Sequence, residues 1–145
     1  MKKTVVAPGQ GRAPSEDLDG PRSAVAVATH HEDCIRVELT GLATPGETVR
    51  EQARDVLGLV ERVLGEFDGT ANDLIKTRWH FVADTFDQEA RATIHEVRDE
   101  FLDGPHHPPS VMVTTPHLGV EGADFELDAT ATIPDDGWTV ETVEE

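Results

Sequence analysis

Hydrophobic and polar residues alternate with a two-residue period in three stretches of this chain and recur with a helical period in two others. In Cys34 to Thr40, Ile35, Val37 and Leu39 take one face and Cys34, Arg36, Glu38 and Thr40 the other. In Leu74 to Val82 the faces are Ile75, Thr77, Trp79 and Phe81 against Lys76, Arg78 and His80. Asp124 to Ile133 alternates through Phe125, Leu127, Ala129 and Ala131. Each pattern predicts a strand with one buried face. Ala24 to Thr29 is a further short strand candidate, and the polar turn His30-His31-Glu32-Asp33 joins it to the next as a hairpin. A helix opening at Glu47 or Thr48 carries Val49, Ala53, Val56, Leu57, Val60 and Leu64 on one stripe and runs to Phe67, where Asp68-Gly69 ends it. A second helix starts at Phe86 with Ala90, Ile94, Val97 and Phe101 as its stripe, and Asp103-Gly104-Pro105 breaks it.

His106-His107-Pro108-Pro109 then reads as a turn, because two prolines fix φ and push the residues before them towards extended geometry. It delivers the chain into Ser110 to Thr115, a β-branched run expected to be a buried strand. A group at such a strand entrance is rigidly held yet can face a cleft. The order β-β-α-β-α-β-β predicts an α+β domain, a mixed sheet with both helices packed on one face. The other face is partly polar, and burial in an oligomer is the economical way to cover it. Residues 1–21, rich in Pro, Gly and charge, read as a flexible N-terminal arm; 22–134 form a single domain, and 135–145 an acidic C-terminal tail.

With 145 residues one core can be buried without disulfides or metal. The charge narrows the partners: 29 acidic against 12 basic residues give a net −17, which repels phosphate backbones and anionic lipid. Nucleic acid and membrane are therefore not expected as partners. The acids are spread through the periodic segments, and the only lysines are Lys2, Lys3 and Lys76. That combination reads as adaptation to high salt, where counterions screen self-repulsion, with an ordinary acidic protein as the plainer alternative. The single cysteine, Cys34, excludes an intrachain disulfide, fits a reducing compartment and reads as an inert thiol in a strand. No apolar run approaches a membrane span, and Pro8-Gly9 cuts short any signal-like start, so a cytoplasmic protein is expected.

Candidate chemistry is sparse. Lys76, Arg78 and His80 share one strand face, which reads either as pairing with Glu38 and neighbouring acids or as an anion-binding wall. Asp128 and Glu126 share a face of the last strand, where a surface role competes with water activation. The seven histidines include two adjacent pairs in turns, but none has the spacing of a metal site, so no metal or other cofactor is expected. Ser23 and Ser110 have no recognisable base partner, and Gly41 to Gly46 lacks the ending of a phosphate-binding loop.

From Gly20 to Pro134 the chain resembles the RidA (YjgF) family of small trimeric proteins. The anchors are Gly20-Pro21-Arg22-Ser23, Thr40-Gly41, Glu51-Gln52, Leu74-Ile75-Lys76-Thr77, Pro108-Pro109-Ser110-Val111 and Glu126-Leu127-Asp128-Ala129-Thr130-Ala131. The resemblance implies a chorismate-mutase-like (βαβαββ) fold and a homotrimer with ligand clefts between subunits. It implies hydrolysis of 2-imino or 2-enamino acids to 2-oxo acids and ammonia. In that family an Arg beside the proline turn grips the substrate carboxylate, and a Glu on the last strand positions the attacking water.

This chain departs from the pattern. The Arg slot is Pro109, the Glu slot Asp128, a Tyr slot Arg22, and an Asn slot on the second helix His95. On this resemblance Asp128 and Arg22 are the expected catalytic pair. Ser23, Thr40, Gly41, Arg78, His95, His107, Pro109 and Ser110 are expected to line the substrate site. For the enzyme reading, one of Arg22, Arg36, Lys76 or Arg78 is expected to replace the missing cation, and Arg22 is favoured because it occupies the ligand-facing slot. A trimer that binds a small metabolite in the same clefts without catalysis is the alternative.

Overall fold

The computed structural model describes residues 1–11 and 13–145. Six strands form one sheet: β1 (Lys2–Val6), β2 (Ala26–His30), β3 (Cys34–Leu42), β4 (Leu74–Val82), β5 (Ser110–Thr115) and β6 (Phe125–Pro134), in the order β1-β2-β3-β6-β4-β5. Only β4 and β5 pair in parallel, as their helical connection requires; the other pairs are antiparallel. Helices α1 (Val49–Gly65) and α2 (Gln88–Phe101) pack on one face, as the alternating patterns demand.

The helix starts are set by side chains that accept orphan backbone N–H groups. The Thr48 hydroxyl accepts from Glu51 N, and the Asp87 carboxylate accepts from Ala90 N. Asp87 therefore starts α2 two residues later than Phe86, whose ring instead packs 4.9 Å from Phe81. Arg50 and Arg54 of α1 pair with Glu96 and Glu100 of α2 across the solvent side. The core between helices and sheet is centred on Trp79, Phe81 and Phe125, with Phe125 5.3 Å from each of the other two rings. Such tilted aromatic pairs contribute about 0.5–1.5 kcal/mol each beyond the area they bury.

The structure departs from the sequence expectations in four further places. Lys2–Val6, read as part of a mobile arm, is the edge strand β1, because its backbone completes the β2 ladder and Val6 packs on the core. Arg12, within the same arm, lies outside the described residues. Ile75, expected to be buried, is 38% exposed and Leu74 takes its place. Leu74 faces Ala131 and Lys76 faces Thr130, so Ile75 is an extra residue, and this bulge reverses the alternation before it. The strand after the proline turn is not buried either: β5 is an edge strand with Val111 and Val113 exposed. Finally, the acidic tail is tied down, where Asp135 N donates to Asp33 O at 3.0 Å and Trp138 Nε1 donates to Asp73 Oδ1 at 2.7 Å.

Candidate functional site

On the face away from the helices, β3, β6 and β4 lie side by side and present Arg36, Glu38, Thr40, Asp128, Thr130, Lys76, Arg78 and His80. Period-two alternation puts them there, since their neighbours fill the core. A second bulge shapes the centre. Leu39 faces Ala129 and Leu42 faces Leu127, so β3 carries one residue more than β6 between these pairs. Gly41 absorbs the extra residue at φ +66°, a left-handed conformation that costs any side chain about 1–2 kcal/mol.

The bulge turns two donors onto Asp128. Gly41 N–H donates to Oδ1 at 3.1 Å and the Thr40 hydroxyl donates to the same atom at 2.8 Å. The other oxygen, Oδ2, lies 3.1 Å from His80 Nε2. Partial burial pushes the Asp128 carboxyl up, but the Gly41, Thr40 and His80 hydrogen bonds outweigh it and hold the group below the ordinary carboxylate range. Asp128 is thus a fixed, ionised carboxylate. It borders a hollow of about 230 Å³ with Glu38, Thr40, Lys76, Arg78 and Thr130.

The cations of this face divide cleanly. Arg36 Nε donates to Glu38 Oε1 at 3.0 Å, and Glu38 Oε2 accepts from Thr130 at 2.7 Å. The expected pairing of strand β4 with acids therefore holds for His80 alone. Among the described residues no carboxylate oxygen lies within 4.0 Å of Lys76 or Arg78. Two cations without a carboxylate partner thus share the hollow with Asp128 and with Glu38, which is paired to Arg36.

The other expected site residues lie elsewhere in the chain. Arg22 and Ser23 line a separate depression with Val5, Pro8 and Gly9, beside the β1–β2 edge of the sheet. Arg22 and Asp128, the expected catalytic pair, are therefore not brought together within one chain. Ser110 turns its side chain to the helix side, where its Oγ accepts from buried Thr77 Oγ1 at 2.9 Å. With His95 and His107 it lines a hollow between α2 and the proline turn, on the opposite face from Asp128. Pro109 is exposed beside it, while Pro108 is buried.

Sequence reasoning missed Arg98, a half-buried arginine of α2 that lines this same hollow. Its spacing, one residue after Val97 of the apolar stripe, was the available signal. Cys34 is no nucleophile candidate, since burial and the nearby Asp33 and Asp135 push its thiol up. Among the described residues no group of three or more His, Cys, Asp and Glu could hold a metal ion, and no helix is long and apolar enough to cross a membrane.

Comparison with known proteins agrees with this architecture. The family model described as endoribonuclease L-PSP matches residues 37–133. A member of the YjgF/YER057c/UK114 family from Mycobacterium tuberculosis superposes with a TM-score of 0.68 at 24% identity, covering 91% of this chain and 100% of that one. A YjgF-family protein from Neisseria meningitidis gives 0.67 at 21% identity over 93% and 98% of the two chains. Yeast Mmf1 gives 0.65 at 17% identity over 91% and 99%. No curated protein sequence matches the chain.

Proposed function

The chain belongs to the endoribonuclease L-PSP family, that of the RidA and YjgF proteins, and on that premise we propose that it hydrolyses 2-imino or 2-enamino acids to 2-oxo acids and ammonia. The observation that carries this reading is Asp128, held ionised by three hydrogen bonds beside the unpaired cations Lys76 and Arg78. A 2-imino acid offers a carboxylate next to an electrophilic C=N carbon. The Arg78 guanidinium, with two parallel donors, takes that carboxylate, and Lys76 adds charge. Asp128 orients a water on the imine carbon and accepts its proton as the C–O bond forms. That proton passes to nitrogen to give the carbinolamine; the hydroxyl proton then follows it to nitrogen as the C=O forms and the C–N bond breaks, so ammonia leaves and the 2-oxo acid remains. Arg78 takes the gripping role from Arg22, which lines a different depression of the same chain.

The family's descriptive name points to RNA cleavage, but a net charge of −17 opposes a polyphosphate, and the hollow offers only two free cations. We further propose a homotrimer. The polar sheet face and the exposed Ile75, Val111 and Val113 at its β5 side suit burial against a second copy, which would also complete the shallow hollow.

The test generates 2-iminopropanoate or 2-iminobutanoate with an amino-acid oxidase and follows imine loss, with light scattering in molar and about 0.1 M KCl, where the Debye length is about 10 Å. Acceleration proportional to protein, greatest where the trimer persists in high salt, supports the reading. An uncatalysed rate with a trimer intact would leave a metabolite-binding protein instead, and a monomer at high salt would remove the interface.

A further inference from the structure

The hollow between α2 and the proline turn has its own unbalanced chemistry. It measures about 360 Å³ and is lined by His95, Arg98, Asp99, His107, Pro108 and Ser110. The stem of Arg98 is held in place: it borders, with Leu57, Trp79 and Phe101, a small enclosed void at the core edge. Among the described residues, the one hydrogen bond of its five guanidinium donors is a long contact of 3.4 Å to the Pro108 carbonyl. Among the described residues no carboxylate oxygen comes within 4.0 Å of it. Partial burial accordingly pulls the Arg98 pKa down, the mark of a cation without compensation.

Asp99 lines the same hollow yet does not reach Arg98 within 4.0 Å, so a cation and an anion stand side by side, each unpaired with the other. Both lie in the last turn of α2, where the unsatisfied carbonyls add negative character beside Asp99. His95 adds no charge at neutral pH, because burial first, and then Arg98 and Arg91, hold its imidazole below the ordinary value.

We propose that this hollow binds a small zwitterion of the amino-acid class, its carboxylate on Arg98 and its ammonium on Asp99. A phosphate dianion is less suited, since Asp99 would repel it and a single arginine would face two charges. The Ser110 to Thr77 hydrogen bond fixes the hollow on the helix side of the sheet, whereas Asp128 faces the other side. The proposal therefore stands independently of the hydrolysis proposed above.

The experiment follows the imidazole resonances of the full chain by NMR while L-alanine, propionate or ethylammonium is added. The expected result is a saturable shift of His95 and His107, but not of His80, with L-alanine. Propionate should bind at least about tenfold more weakly for loss of one charged contact, and ethylammonium more weakly still. Asp99→Asn should bring L-alanine to the level of propionate, and Arg98→Ala should abolish binding. If Arg98→Ala loses its fold, because the stem also packs, Arg98→Lys replaces it and should retain weakened binding. No saturable shift with L-alanine, or shifts that survive both Asp99→Asn and the Arg98 substitution unchanged, would overturn the proposal.

Discussion

Arg78 of β4 and Asp128 of β6 stand directly opposite one another in the antiparallel register, yet they form no ion pair. Asp128 Oδ1 is filled by Gly41 and Thr40, while Oδ2 is turned to His80 and keeps one lone pair open. A carboxylate oriented by two neutral donors and a histidine leaves its cross-strand arginine available. An arrangement that keeps unlike charges adjacent but unpaired is poor for stability and well suited to a ligand that carries its own carboxylate.

Arg78→Ala should therefore raise KM for a 2-imino acid about 10- to 100-fold, the effect of losing a charge-assisted hydrogen bond of about 1.5–3 kcal/mol, while kcat falls less. Arg78→Lys should recover part of the loss. Initial rates over a range of substrate concentrations separate the two constants. Unchanged KM in Arg78→Ala would remove the guanidinium from the site.

The second expectation concerns pH. Asp128 in the folded chain ionises below the ordinary Asp value of 3.8. A depressed carboxylate contributes stability that is fully present above the unfolded pKa and is lost as pH falls through the folded one. Asp128→Asn should thus lower the melting temperature at pH 7, and the gap to wild type should close below about pH 4. Thermal melts between pH 7 and pH 2.5 decide this, and a gap that stays constant across the range would contradict it. If Asp128 also acts as proton acceptor, Asp128→Asn should lower kcat by about 10²- to 10⁴-fold.

A third expectation separates scaffold from site. Gln52 is fully buried at the start of α1, and all its polar atoms are used: Nε2 donates to Gly46 O at 3.1 Å and Asp124 Oδ2 at 2.9 Å, and Oε1 accepts from Asp124 N at 2.8 Å. It ties the loop before α1 to the residue that precedes β6. Gln52→Leu keeps the volume but strands these partners, so it should cost on the order of 3 kcal/mol. Urea unfolding measures it. Loss below about 1 kcal/mol would mean that the loops relax or that water replaces the amide.

What the sequence by itself determined was the set of decisions that local chemistry makes. The helical stripes from Val49 to Leu64 and from Ala90 to Phe101 need only neighbouring residues to reveal them, as do the alternation of β6 and the capping Thr48. The same periodicity placed Asp128, Arg78, Lys76 and Thr40 on polar faces, so the principal members of the hollow were legible as types and directions. Tertiary structure decided the rest, because it depends on what lies opposite. A bulge is one residue too many relative to a partner strand, and nothing at Ile75 or Gly41 states the partner's register. Yet the Gly41 bulge is what turns a backbone N–H onto Asp128. The insertion of β6 between β3 and β4 set Arg78 beside Asp128, and the far edge kept Arg22 away from both. Val111 and Val113 look core-bound by composition, but a strand's burial follows from its position in the sheet, and β5 is last. Arg98 offered only its spacing beside Val97, since an arginine's want of an acidic partner shows only once the chain is folded.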